Sequence, residues 1–181
     1  MKKALALLAM LAAFGAAAGD AAGSAPVKMN LAKFRIYKAA ANGGIVETVA
    51  KNAENPAVRR KFVPDPAKGK YSIQLYGHDP AAPNEAKVYT LTFTVSDDVN
   101  PDAAVMFSLK SKNKKYGWYG SMRADTVKQM RLSPGRHVLV LKVDLNSYKL
   151  PELGFICPTV GVSGLKSGSV TVESLEAASG K

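Results

Sequence analysis

Residues 89–95 read Tyr89-Thr90-Leu91-Thr92-Phe93-Thr94-Val95, and the alternation is strict. Every second side chain is aromatic or aliphatic, and each one between is threonine. Neighbours in an extended chain point to opposite faces, so this pattern is a strand with one buried side and one wetted side. A helix needs its apolar positions three and four apart, which this stretch does not supply.

The same period recurs on either side. Tyr71, Ile73 and Leu75 alternate with Ser72, Gln74 and Tyr76, and Val105, Phe107 and Leu109 alternate with Met106, Ser108 and Lys110. The turn Ser133-Pro134-Gly135 feeds a long strand from Arg136 to Leu145, with Leu139, Leu141, Val143 and Leu145 on its core side. Val170 to Leu175 closes the chain after a turn at Ser167-Gly168. Upstream, Lys33 to Tyr37 alternates, Asn42-Gly43 is a turn pair that tolerates positive φ, and Ile45 to Ala50 follows as a strand. Lys51 to Lys70, with its prolines and the basic run Arg59-Arg60-Lys61, reads as a long loop. Ala124 to Met130 reads as a helical turn or a strand. Short strands joined by Gly and Pro, with no helix of ordinary length, predict an all-β, antiparallel β-sandwich.

The ends bound the domain. Lys2 and Lys3 precede an unbroken apolar run from Ala4 to Phe14, followed by small residues. That is the layout of a secretory signal peptide, with cleavage between residues 18 and 25. The run is too short to span a bilayer as a settled helix, so the expected product is extracytoplasmic, periplasmic or secreted, and not membrane-spanning. Residues 26–30 are expected as a flexible tail, 31–176 as a single sandwich domain and 177–181 as a C-terminal tail. Cys157 is the only cysteine. No internal disulfide can form, so packing alone holds the fold. Its setting, Phe155-Ile156-Cys157-Pro158, predicts a buried, inert thiol.

The chain carries a formal charge of +11, and cleavage would remove only Lys2, Lys3 and Asp20 among its charged residues. A basic protein attracts acidic partners. Export argues against nucleic acid as the partner and leaves anionic glycans, unless the charge serves solubility alone.

The order of these local patterns resembles the β-jelly-roll carbohydrate-binding modules of the family 4/9/22 type, within the galactose-binding-like group. Asn42-Gly43-Gly44 matches their early turn, Gly69 to Gly77 a Gly-Lys-Tyr-Ser strand, and Tyr89 to Phe93 a Tyr-Thr-Leu-x-Phe strand. Pro134 to Leu145 matches the Pro-Gly turn with its long apolar strand, and Val170 to Leu175 the closing strand. The resemblance covers about residues 31–176. It implies a jelly roll and a non-catalytic, polysaccharide-binding role. An early Trp usual in such modules has no counterpart. The paired Asp residues of the closing strand, which help ligate a structural calcium, are replaced by Glu173 and Ser174.

Sugar recognition needs a flat ring for the C–H face of a pyranose and polar groups for its hydroxyls. The segment from Lys110 to Gly120 offers both. Trp118 or Tyr119 would be the platform, with Tyr116 beside them and Asn113 and Lys115 as polar partners. Adjacent strand residues face apart, so Trp118 and Tyr119 share one ligand only if Gly117 or Gly120 breaks the pleat. Trp118 reads equally as the main core aromatic. A second candidate surface is the outward side carrying Gln74, Tyr76, Thr90, Thr92 and Thr94, with Tyr76 and Gln74 lining a cleft. No cofactor is expected. Ser96-Asp97-Asp98-Val99-Asn100-Pro101-Asp102 offers hard oxygens that suit calcium, without the spacing of an EF-hand. His78 and His137 alone would serve zinc. Catalysis finds little local signature. A small jelly-roll lyase would have to draw on Tyr116, Tyr119, His137 and Arg123, and an envelope scaffolding protein with no sugar ligand is the further alternative.

Overall fold

A computed structural model describes residues 25–37, 43–53, 56–67, 72–77, 79, 86, 88–113, 117–121, 127–143 and 155–179, with backbone alone at 111–113, 117–121 and 155. Residues 1–24, which carry the expected signal peptide, lie outside this description, as do Asn42, Lys115, Tyr116 and Arg123.

The strands are β1 (Val27–Lys28), β2 (Arg35–Tyr37), β3 (Ile45–Val49), β4 (Arg59–Val63), β5 (Ser72–Tyr76) and β6 (Val88–Val95). They continue with β7 (Ala104–Asn113), β8 (Gly117–Ser121), β9 (Val127–Arg131), β10 (Gly135–Lys142), β11 (Phe155–Ser163) and β12 (Val170–Ala178). A 3-10 turn, Leu31–Lys33, precedes β2. One sheet runs β10-β6-β12-β4-β3, with β1 added on β12, and the other runs β2-β5-β11-β7-β8, with β9 added on β7. All pairings are antiparallel. The molecule is a jelly-roll β-sandwich.

The alternation is realised where it is strongest. Tyr89, Leu91, Phe93 and Val95 are buried from the first sheet, and Ile73, Leu75, Val105, Phe107 and Leu109 meet them from the second. Leu141 and Val143 are buried and Leu139 packs against the core. Gly135 takes φ +106 at the turn into β10, a conformation open to glycine and costly for other residues.

Three sequence expectations change and a fourth, left open between two readings, is resolved. The stretch read as a loop, 51–70, contains β4, because Phe62 is a fully buried core residue and the basic run flanks it. Residues 26–30 are not a tail: β1 pairs with β12, Met29 donates to Leu175 O at 2.8 Å, and its side chain is buried. The C-terminal tail begins later than 177, since β12 runs to Ala178 and Ala177 is buried against the core. The 124–130 segment resolves as strand β9 over its described part, pairing with β7.

Candidate binding face

β11 decides the second sheet. It lies between β5 and β7, and its register places Thr159 beside Tyr76 and Ser108, and Gly161 beside Gln74 and Met106. Antiparallel partners share a face, so these side chains stand on the outer side, opposite the buried Val160, Val162, Leu75 and Phe107. Pro158 sits in this central strand without breaking it. Its carbonyl turns to Gly77 N (3.3 Å), beyond the end of β5, so its missing N–H falls where the β5 ladder has stopped.

Short side chains on β11 and β7 stand between longer ones. Thr159 and Ser108 are fully buried although they face outward, and Gly161 carries no side chain. Gln74 and Tyr76 on one flank, and Met106 and Lys110 on the other, are half-buried. A Cβ added at Gly161 would lie 3.4 Å from Met106 Cε and 3.6 Å from Gln74 Cγ, so these two close over the glycine. The result is a strip of short residues between longer ones, a trough whose polar floor is shut off from solvent. Lys110 Nζ donates to Gln74 Oε1 at 3.0 Å, and the register puts Thr159 beneath that bridge. Thr159 Oγ1 donates to Cys157 O at 3.4 Å, while Ser108 Oγ has no hydrogen-bond partner among the described residues.

Cys157 stands opposite Lys110 on the same side. Burial pushes its thiol up to about 11, against the opposing pull of the Gly77 backbone bond and the Lys110 charge. It is neutral at ordinary pH and acts as a packed apolar group. Burial, with a smaller contribution from the nearby Cys157, also raises the Tyr89 phenol well above its usual range.

The structure separates residues that the sequence grouped. Gln74 and Tyr76 belong to the trough, but Thr90, Thr92 and Thr94 lie on β6 in the other sheet, so the five share no surface. Trp118 and Tyr119 lie on β8, where the backbone of Trp118 pairs with Lys112 and that of Gly117 with Asn113, after a register shift between Lys110 and Lys112. Lys115 and Tyr116 are outside the described residues. His137 is on β10, stacked on Phe93 at 5.3 Å with Nε2 2.7 Å from Ser133 O. It therefore sits in the sheet opposite to β8, away from the tyrosine with which a lyase reading joined it.

The basic run and the acidic loop have structural work. Arg60 donates to the carbonyls of Leu31 (3.1 Å), Ala32 (3.4 Å) and Phe34 (3.1 Å) and to Thr48 Oγ1 (2.5 Å). Arg59 pairs with Glu173 at 3.4 Å. In the loop after β6, Asn100 Oδ1 accepts from Lys166 N and Ser167 N and its Nδ2 donates to Gly164 O. Ser96 Oγ accepts from Ser169 N and donates to Asp98 Oδ1. Two of the oxygens that suited calcium are thus spent on tying this loop to the one before β12. Among the described residues no three of His, Cys, Asp and Glu converge. No helix among them is long and apolar enough to cross a membrane.

The residues missed by sequence reasoning are Ser108, Thr159, Gly161 and Met106 as trough residues; Lys110 stood in the lysine-rich segment but was not placed beside Gln74. Lys110 carried a signal, since it falls on the outward side of the Val105-Phe107-Leu109 alternation.

No family model matches the sequence, and no curated protein matches it. Solved structures do. A family 11 carbohydrate-binding module from Clostridium thermocellum, in complex with a β-1,3-1,4-mixed-linked tetrasaccharide, is 9% identical over 87% of this chain and 96% of that one, with a TM-score of 0.55. A structure of carbohydrate-binding modules from the β-sandwich superfamily is 14% identical over 81% of this chain and 57% of that one, with a TM-score of 0.54. The CBM22-1–GH10 modules of Clostridium thermocellum xylanase 10B, complexed with xylohexaose, are 7% identical over 88% of this chain and 28% of that one, with a TM-score of 0.53. At these identities the likeness is one of fold: the chain has the two-sheet β-sandwich fold that these modules have.

Proposed function

We propose that the chain is an exported, non-catalytic polysaccharide-binding protein whose ligand lies along the trough of the second sheet. The observation that carries this reading is the strip of short polar residues, Thr159, Gly161 and Ser108, walled by Tyr76, Gln74, Met106 and Lys110, in a fold shared with sugar-binding modules. Sugar hydroxyls exchange hydrogen bonds with an amide such as Gln74, and a pyranose C–H face packs on a phenol ring. Tyr37, 57% exposed at the β2 end of the Gln74 row, extends the aromatic surface. Trp118 and Tyr119, on the strand next to β7, are the further ring candidates.

A glycan array with wild type, Gln74→Ala and Trp118→Ala tests this. A lost hydrogen bond contributes about 1 kcal/mol, so Gln74→Ala is expected to weaken retention about five-fold. Trp118→Ala should weaken it further if its ring is the platform. Unchanged retention of every glycan by both variants would remove the trough and the ring together. Export rests on Lys2, Lys3 and the apolar run, and sequencing the mature N-terminus should find it between residues 19 and 26. An ultraviolet assay on uronate polymers should show no new absorbance, and a signal would replace binding by lyase chemistry.

A second reading, an envelope protein that docks a partner chain, is favoured by β10. Among the described strands it is an edge, eight residues long, with Val138 48% exposed. Such an edge is a template for another strand. A stoichiometric protein recovered from envelope extract, lost on Val138→Lys, would support it.

A further inference from the structure

We propose, resting on the trough reading above, that the bound glycan is anionic and that Lys110 is the residue that selects for its carboxylate or sulfate. Lys110 is half-buried, and its ammonium makes a part-buried hydrogen bond to the neutral amide of Gln74. The ion pairs among the described residues are Lys33–Asp79 and Arg59–Glu173, so Lys110 has no acidic partner there. A partly desolvated cation held by a neutral group is short of a counter-ion, and a ligand anion arriving there forms a charge-assisted bond in place of a neutral one.

The surroundings point the same way. Along the outer face, β2, β5, β7, β9 and β11 place no Asp or Glu among the described residues, while Arg35 and Arg131 stand exposed on it. The opposite sheet mixes signs, with Glu47 facing Lys61 in the register and Glu176 on β12. The cations of the first sheet thus stand among carboxylates, whereas, among the described residues, those on the trough face do not. Ser108 Oγ, fully buried on the floor two residues before Lys110, supplies a second, independent sign of an absent partner. A hydroxyl removed from water without a hydrogen bond is costly, and a ligand group that displaces what now covers Ser108 would offset that cost. The ligand would take the ammonium from Gln74, freeing that amide for a neighbouring sugar hydroxyl.

The experiment is affinity electrophoresis of the full chain through polygalacturonate, dextran sulfate and carboxyl-reduced polygalacturonate, with wild type, Lys110→Met, Lys110→Arg and Lys142→Met. Lys142 is exposed on β10 in the other sheet and reports non-specific attraction of a basic protein to a polyanion. A charge-assisted bond contributes about 1.5–3 kcal/mol, so Lys110→Met should lose at least about ten-fold in retention by the acidic polymer. Lys142→Met should change less than about two-fold, since an exposed charge interacts weakly, and Lys110→Arg should restore part of the loss. Whether the carboxylate or the sulfate polymer shows the Lys110 dependence identifies the anion. Equal losses in Lys110→Met and Lys142→Met would overturn the proposal as mere polyelectrolyte attraction. Tight binding of the reduced polymer, weakened by Gln74→Ala but not by Lys110→Met, would overturn the anionic assignment and leave the trough standing. No retention of any polymer by wild type would remove both.

Discussion

Two glycines of the second sheet have opposite tolerances, and contact distances separate them. A Cβ on Gly77 would lie 2.6 Å from Phe34 Cγ and 3.0 Å from its Cα, inside the ring that closes the end of the core. Gly77→Ala should cost about 1–3 kcal/mol in urea unfolding, the usual cost of forced overpacking. Gly161→Ala meets only ordinary contacts and should leave the midpoint within about 1 kcal/mol while raising the trough floor. A glycan that fits the trough would then bind more weakly to a protein that folds normally. At Cys157 the lever is pH. The folded thiol, pushed from its ordinary 9.0 to about 11, holds its proton longer than the unfolded one. The contribution is complete below pH 9 and is lost as pH rises to about 11, with a ceiling near 3 kcal/mol. Urea titrations of wild type and Cys157→Ala should keep a constant difference up to pH 9 and converge on the variant's favour above it. A constant difference through pH 11 would refute that account.

Among the elements, the 3-10 turn Leu31–Lys33 shows how an edge of the sandwich is closed. Leu31 and Phe34 are buried between the sheets, and three carbonyls of this segment accept from the one guanidinium of Arg60 on β4. Asp79 holds the other side, accepting from Asn30 N at 2.7 Å and from Lys33 Nζ at 3.1 Å. Arg60→Met should lose on the order of 2 kcal/mol and speed hydrogen exchange in residues 29–36, and Arg60→Lys should recover little, because one ammonium nitrogen does not span acceptors that the guanidinium reaches from separate nitrogens. Period two was legible wherever strands face water on one side, as at 89–95 and 105–109. It failed for β11, whose Cys157, Thr159 and Val160 are buried on both faces and whose Pro158 and Gly161 read as punctuation. It failed for β1 as well, where a two-residue pairing leaves no period to see. The trough stayed hidden for the same reason: its floor is β11, and Gln74 and Lys110 are 36 residues apart in sequence. The pairing of Gln74 with Tyr76 was legible because both lie on one strand. The threonines of β6 were grouped with them because sequence shows outwardness without showing which of two sheets is meant.

Over the whole molecule the charge is uneven rather than merely large. On the first sheet cations stand beside carboxylates, as in Arg59–Glu173, while the trough face has cations without described carboxylates. Folding and binding should therefore respond differently to salt. Screening shortens the reach of exposed charges from about 10 Å at 0.1 M to about 3 Å at 1 M, and it leaves apolar burial intact. The core is apolar and carries no disulfide, so the unfolding midpoint should stay constant or rise slightly between 0.1 and 1 M sodium chloride. Retention by an acidic glycan should fall over the same interval, steeply at first and then level off, because the half-buried contact at Lys110 is screened less than the exposed Arg35 and Arg131. The residual binding at 1 M should vanish in Lys110→Met and survive in Lys142→Met. If wild type and both variants instead lost all retention along one common salt curve, the attraction would belong to the protein's total charge, and the trough would have no share in it.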